Sequence, residues 1–273
     1  MDLSFGQTQP LMSRRMKAYP LVAKWVYRIF GYTQIGNYAR AGVFKSLLKE
    51  LPLERIETVL DLGCGQGEYA FSMARAFPNK SITALDIEPE RVAKIQTIAT
   101  TKGWSNLKTF LGPVEQIDPK EQQYDLIYSI DVFEHILEEK MPFEAAYQCL
   151  REDGFLIIKM PSKLQRTIFP DRLFTKHQSW LEQEHIGQVY ELKDLVSRME
   201  RAGFKIHTAR YADGSLSRLA WECSYLARKV SPVLQLLLLP INKLLVRLDQ
   251  SISRKKKGNT IQVIGQKKLK NYK

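Results

Sequence analysis

An α/β fold, with a largely parallel sheet covered by helices on both faces, is what this sequence predicts, and three observations carry it. Short apolar runs alternate with stretches of helical periodicity over residues 58–211. The first run ends in a turn with three glycines two apart, Val59-Leu60-Asp61-Leu62-Gly63-Cys64-Gly65-Gln66-Gly67-Glu68. At 273 residues, 44% hydrophobic and 26% charged, the chain can bury a full core with a smaller attachment.

The elements follow in order. Residues up to about Arg15 are expected to be unstructured. Leu21, Val22, Trp25, Val26, Ile29 and Phe30 recur at helical spacing with Lys24 and Arg28 opposite, which predicts a helix over Tyr19–Phe30. A second helix is expected over Asn37–Leu51, stopped near Pro52. Strands are expected at Thr58–Leu62, Ser81–Asp86, Leu107–Leu111, Asp125–Ile130, Phe155–Met160 and Phe204–Tyr211. Helices between them are expected at Glu68–Phe77, Pro89–Lys102, Lys140–Leu150 and Glu191–Ala202.

Two insertions interrupt the alternation. Residues 161–190 are rich in aromatic and basic side chains (Phe169, Phe174, Trp180, Arg166, Arg172) and sit where a substrate lid is expected. Residues 212–258 hold the apolar stretch Val233–Leu248, whose 16 residues fall short of the ~20 needed to span a bilayer and include Pro240, Lys243 and Arg247. Its polar positions Gln235, Asn242, Lys243, Asp249 and Gln250 leave one broad apolar face, the pattern of a helix lying in a headgroup region. The basic run Arg254-Lys255-Lys256-Lys257 follows it. Packing on the core or on a partner chain is the alternative. The organisation read from this is an N-terminal helical segment (1–52), a core (53–211) with a lid at 161–190, a helical insertion (212–258), and a last strand with a basic tail (259–273).

Net charge is +12 and uneven: +6 over residues 1–50, −6 over 51–204 and +12 over 205–273. An acidic core with basic flanks points to an anionic surface met by the flanks, a membrane or a nucleic acid. Cys64, Cys149 and Cys223 lack metal spacing and cannot form an even disulfide framework, so a reducing, cytoplasmic setting is expected. No continuous apolar stretch precedes a cleavage site, and no signal peptide is expected.

The chemistry is concentrated after the first strands. Glycines let the backbone of a strand-to-helix turn approach a bound nucleoside, and Asp86 at the tip of the second strand can accept hydrogen bonds from both ribose hydroxyls. The order Gly63-x-Gly65-x-Gly67 departs from the G-x-G-x-x-G of dinucleotide folds, and no lysine follows as in a P-loop. Asp61 would repel a pyrophosphate but suits a ligand carrying an ammonium and a sulfonium.

At these residues the chain resembles the class I S-adenosylmethionine-dependent methyltransferases, especially the type 11 group, which acts on small molecules and lipids. The resemblance continues through Tyr124-Asp125-Leu126-Ile127-Tyr128-Ser129-Ile130-Asp131-Val132-Phe133-Glu134-His135-Ile136 and Leu150-Arg151-Glu152-Asp153-Gly154-Phe155, and covers roughly Glu57 to Phe204. It implies a Rossmann-like seven-stranded sheet whose last strand, Thr260–Gln266, runs antiparallel between strands five and six. It also implies S-adenosyl-L-methionine as cofactor. Gly63, Gly65 and Gly67 would meet the methionine portion, Asp61 its ammonium group, Asp86 the ribose, Ile87 and the Val114 N–H the adenine, and Ser129 would border the cofactor. One departure is Pro113, standing where the family often has an acid for the adenine amino group; Glu115 is the nearby acid.

The resemblance suggests His135, with Glu134 beside it, as the candidate base; the alternative for His135 is to orient the loop or contact the cofactor. His185 resembles the histidine before the final helix of ubiquinone-type O-methyltransferases. His177 and His207 are weaker candidates, and His207 is expected to face solvent. Asp131-x-x-Glu134-His135 is similar to a Glu-x-x-Glu-His divalent-metal motif, with a metal-free site preferred. The leading expectation is methyl transfer to oxygen of a small or lipid-linked acceptor. Nucleic-acid methylation, as RNA 2′-O-methylation, ranks second on the basic flanks and the metal-like motif; against it, strand four lacks the Pro-Pro string of base N-methyltransferases and no Pro-Cys nucleophile is present. A non-catalytic cofactor-binding protein ranks third and a nicotinamide oxidoreductase a distant fourth.

Overall fold

The computed structural model describes residues 20–163, 165–184, 189–252 and 255–268. Helices α1 (Pro20–Phe30) and α2 (Ile35–Leu48) come first. The alternating core follows as β1 (Thr58–Leu62), α3 (Glu68–Ala76), β2 (Ser81–Asp86), α4 (Pro89–Lys102), β3 (Leu107–Leu111), β4 (Tyr124–Ile130), α5 (Phe143–Cys149) and β5 (Leu150–Pro161). Then come α6 (Thr175–Glu184), α7 (Leu192–Arg201), β6 (Phe204–Ala212), α8 (Ser215–Val230), α9 (Pro232–Ser251) and β7 (Thr260–Lys267).

The described strands form one seven-stranded sheet in the order β3-β2-β1-β4-β5-β7-β6. Pairing is parallel from β3 to β5, and β7 runs antiparallel to both β5 and β6. The central strands are near-continuous apolar runs because both faces are covered. Phe44, Leu47 and Leu48 of α2 and Phe71 of α3 pack with Val59 and Tyr128 in one core, and Leu195 and Met199 of α7 with Leu60, Ile127 and Leu156 in the other. Strand order reverses between β1 and β4, which opens a crevice at their carboxyl ends.

Boundaries differ from the expectation in specific places. The helix expected over Lys140–Leu150 is confined to Phe143–Cys149, because Pro142 sits at its N-cap and Glu138–Lys140 form a separate 3-10 turn. Strand β5 starts at Leu150 rather than Phe155, since Leu150 already pairs with Tyr124 before a register shift. Helix α2 begins and ends a few residues earlier than Asn37–Leu51. The lid segment contains α6, for which no helix was expected.

The insertion is a helical hairpin. Gln235 donates to Ser224 Oγ (3.1 Å) near one end and Asp249 accepts from Ser217 Oγ (3.0 Å) at the other, so α8 and α9 pack antiparallel. Helix α9 also packs on α2. Among the described residues no helix is long and apolar enough to cross a membrane. His207 is exposed on β6, its ring edge-on to Phe155 at 6.1 Å. The N-terminal stretch expected to be unstructured lies outside the described residues.

Candidate active site

The turn after β1 is held from the neighbouring strand. The N–H groups of Gly63 and Cys64 both donate to the Leu85 carbonyl (3.0 and 2.8 Å), and Gly65 N–H donates to Asp86 Oδ2 (2.8 Å). All three loop glycines have positive φ (77°, 54° and 81°). Their surroundings differ. A Cβ at Gly63 would lie 2.5 Å from Val132, and one at Gly67 2.8 Å from Phe71, whereas a Cβ at Gly65 would meet nothing within 4 Å. Only Gly65 therefore presents its backbone to open space. Cys64 is buried there, and burial lifts its thiol well above the usual range.

Asp61 is buried at the end of β1, and its Oδ2 has no hydrogen-bond partner. Burial, with the Asp86 carboxylate adding to it, pushes its pKa up to about 8. Asp86 is buried as well, with Oδ1 accepting from Glu88 N–H (3.0 Å) and Oδ2 also 3.6 Å from Arg91. It anchors the glycine loop in addition to facing the crevice. Ile87 is 68% exposed at the tip of β2, and Leu111, the register partner of Asp86 on β3, is 51% exposed. Two bare aliphatic side chains at adjacent strand tips make an apolar platform; the sequence reading named only Ile87. Val114 is buried in a 3-10 turn opened by Pro113, and Glu115 beside it is exposed. Ser129 is fully buried on β4 and its hydroxyl donates to the Leu62 carbonyl (3.0 Å), which ties β4 to β1.

A cavity of about 360 Å³ opens at the carboxyl edge of β4 and β5, next in sequence to Val132, whose side chain faces Gly63. Its floor is Asp131, Glu134 and Lys159, and its walls come from Arg40 on α2, Trp221 on α8 and His177 on α6. Asp131 adopts φ 54° at the strand tip, and Lys159 Nζ donates to both its oxygens (2.6 and 2.9 Å). Arg40 Nη1 adds a third bond at 3.3 Å. Burial works against the Asp131 charge, but Lys159 and Arg40 outweigh it and its pKa is lowered. Two cations thus occupy the place where the metal reading would put an ion, and among the described residues no three His, Cys, Asp or Glu side chains converge.

Glu134 is the reverse case. It is 1% exposed, its Oε2 has no partner, and burial followed by the Asp131 charge lifts its pKa to about 8. His135 is exposed beside it on the cavity rim. The His177 ring lies 4.7 Å from that of Trp221. Glu222 of α8 accepts the N–H of Ile168 (3.1 Å) and Phe169 (2.9 Å), so the insertion holds down the lid. His185 lies outside the described residues. Sequence reasoning missed Arg40, Lys159 and Trp221, which come from three separate segments and meet only in the folded chain.

Known proteins match this arrangement. A family described as a methyltransferase domain matches residues 36–209. A malonyl-[acyl-carrier protein] O-methyltransferase of Paenibacillus sp. (strain JDR-2) is 24% identical over 173 residues, 59% of this chain and 60% of that protein. A ubiquinone biosynthesis O-methyltransferase of Salmonella paratyphi A is 33% identical over 99 residues, 35% of this chain and 39% of the relative. The matched part is therefore less than two thirds of these relatives' length. The O-methyltransferase from a trans-AT PKS multienzyme of Brevibacillus brevis, solved with S-adenosyl-L-homocysteine, shares the fold with a TM-score of 0.55 at 15% identity, over 97% of this chain and 82% of that one. With the sheet order and the strand-tip loop already in place, the match over residues 36–209 decides the family: this chain belongs to the class I S-adenosylmethionine-dependent methyltransferases.

Proposed function

We propose that this protein transfers the methyl group of S-adenosylmethionine to an oxygen of a small or lipid-linked acceptor seated in the cavity beside the glycine loop. Glu134 carries the reading: a buried carboxyl with an unpartnered oxygen, on the cavity floor. The site suits the cofactor. Asp61 Oδ2 is an orphaned buried acceptor that a ligand ammonium would satisfy, Gly65 leaves space for close approach, and Ile87 with Leu111 offers an apolar seat for a purine. When bound, the cofactor supplies an electrophilic methyl group on a positively charged sulfur.

The chain's own part is positioning and proton transfer. Trp221 and His177, tilted to each other by 44°, give the acceptor an aromatic wall, and α2 and α8 cover the cavity. Glu134 takes the acceptor's hydroxyl proton as the oxygen–carbon bond forms. Asp131, fixed as an anion by Lys159 and Arg40, keeps Glu134 basic enough for this. The O-methyltransferases among the relatives support oxygen as the target.

The test uses purified protein, methyl-labelled cofactor and lipid and quinone extracts as acceptor pools. Label is expected in the organic phase, at a rate that climbs as pH passes about 8, because Glu134 must be ionised to act. Glu134→Gln is expected to cut turnover by ~10²–10⁴ with calorimetric cofactor affinity retained. Label appearing only in nucleic acid, or a variant as fast as the parent, refutes the reading.

A further inference from the structure

Helix α9 packs Leu239 and Val246 against the protein and still leaves a second aliphatic face outward. Several of its polar side chains also face the protein: Gln235 bonds Ser224, Gln250 donates to the Ala39 carbonyl (2.9 Å), Asn242 is buried, and Asp249 accepts from Gly214 N–H (2.9 Å) and pairs with Lys255 (3.4 Å). Its outward side is the stripe Val233, Leu237, Ile241, Leu244, Leu248 and Ile252, with Leu237 70% exposed. These six fall at spacings of three and four, so they line one face of the helix. A single exposed leucine is ordinary; a six-residue aliphatic stripe on a helix that already buries Leu239 and Val246 on its other side is not. The adjoining helix repeats the pattern. Leu21, Trp25 and Ile29 are exposed at four-residue spacing on α1, whose last carbonyl, Phe30, accepts from Lys243 Nζ of α9.

Charge says what covers this face. The sequence of α8 and α9 contains two acids, Glu222 and Asp249, and both are buried and paired, while α1 contains none. Among the described residues, the exposed charges in α1, α8 and α9 and just after α9 are Arg28, Arg228, Lys229, Arg247, Lys256 and Lys257. We propose that α9, with α1 beside it, docks this protein on an anionic lipid surface, lying in the headgroup plane with its aliphatic stripe down. A second copy fits worse, since pairing two such faces would oppose cations with no acid to meet them. Helix α9 cannot act as a span, as it carries Pro240, Lys243 and Arg247 within its 20 residues. The placement has a use, because α2 and α8, on which α9 packs, are the walls of the acceptor cavity. This goes beyond the proposed methyl transfer and stands or falls without it.

The experiment is flotation of the full chain with vesicles of phosphatidylcholine alone or mixed with phosphatidylglycerol, at low and high salt. Binding is expected to the anionic vesicles and to weaken with salt. Leu237→Glu with Leu244→Glu, both exposed and without packing partners to lose, is expected to abolish flotation while melting temperature and cofactor affinity stay at parental values. Lys256→Ala with Lys257→Ala is expected to weaken partition about thirtyfold. Absence of parental flotation overturns the proposal, as does equal flotation of the double-glutamate variant. A parental dimer that this variant converts to monomer also overturns it and makes the face a protein interface.

Discussion

Gly63, Gly65 and Gly67 share a loop and a backbone handedness but not a task. A methyl at Gly67 meets Phe71 and Ile95, whereas one at Gly65 points into open space, the place proposed for the cofactor. Gly67→Ala is therefore expected to cost ~3 kcal/mol in urea unfolding. Gly65→Ala should cost only about 1 kcal/mol yet lower cofactor affinity roughly tenfold or more by calorimetry. The spacing of the glycines is visible in the sequence; the division of labour is not, because Val132, Phe71 and Ile95 arrive from other elements. Asp61 gives a second expectation. Its carboxyl, raised to about 8, is protonated at neutral pH in the free protein, and a cationic ligand beside it draws that value down. Cofactor binding at pH 7 should release close to one proton, read from calorimetry in buffers of different ionisation enthalpy, and Asp61→Asn should abolish the release. The sign for stability follows. With the folded value above the ordinary 3.8, the free protein loses stability as pH rises from about 4 to about 8, and the Asn variant lacks that slope.

Most strand limits were legible because apolar runs alternate with turn residues, whereas the antiparallel β7 between β5 and β6 was legible only through the family resemblance. Helix starts were less so: Pro142 cuts α5 short, and α6 lacks a strong apolar stripe to announce it. The tip of β4 shows what pattern reading cannot reach. Asp131 was legible as one acid of a string resembling a metal motif, but its meaning changes once Lys159 and Arg40 close on it. Lys159 sits in a continuously buried, otherwise apolar run of β5 where an aliphatic residue is the usual occupant, and that break in pattern was the available signal. Lys159→Ala should leave Asp131 half-buried with only the longer Arg40 contact. A loss of ~3–5 kcal/mol is expected in denaturant unfolding, and Lys159→Arg should recover part of it.

Over the whole molecule, the acidic core and basic flanks read from composition correspond to a division in space. The core supplies the cofactor loop, and the flanks supply α2, α8 and α9, hence the cavity's cover and the outward aliphatic face. The N-terminal segment looks like an appendage in sequence, yet Phe44, Leu47 and Leu48 are fully buried against the sheet. A chain starting at Pro52 is expected to be insoluble or to unfold more than 5 kcal/mol more easily, roughly the sum of three large buried side chains at about 2 kcal/mol each; expression yield and urea melts check this.

The helical hairpin departs from β6 and re-enters at β7 through a narrow clasp, with Asn259 N–H on the Asp213 carbonyl (3.0 Å) and Thr260 Oγ1 on Asp213 Oδ2 (2.7 Å). Both ends of the excursion therefore leave from one place, and the strands beneath it pair without its help. Such a graft point lets descendants of this fold trade one acceptor-facing module for another of different length or polarity. The loop proposed to hold the methyl donor follows β1, separated from β7 by β4 and β5.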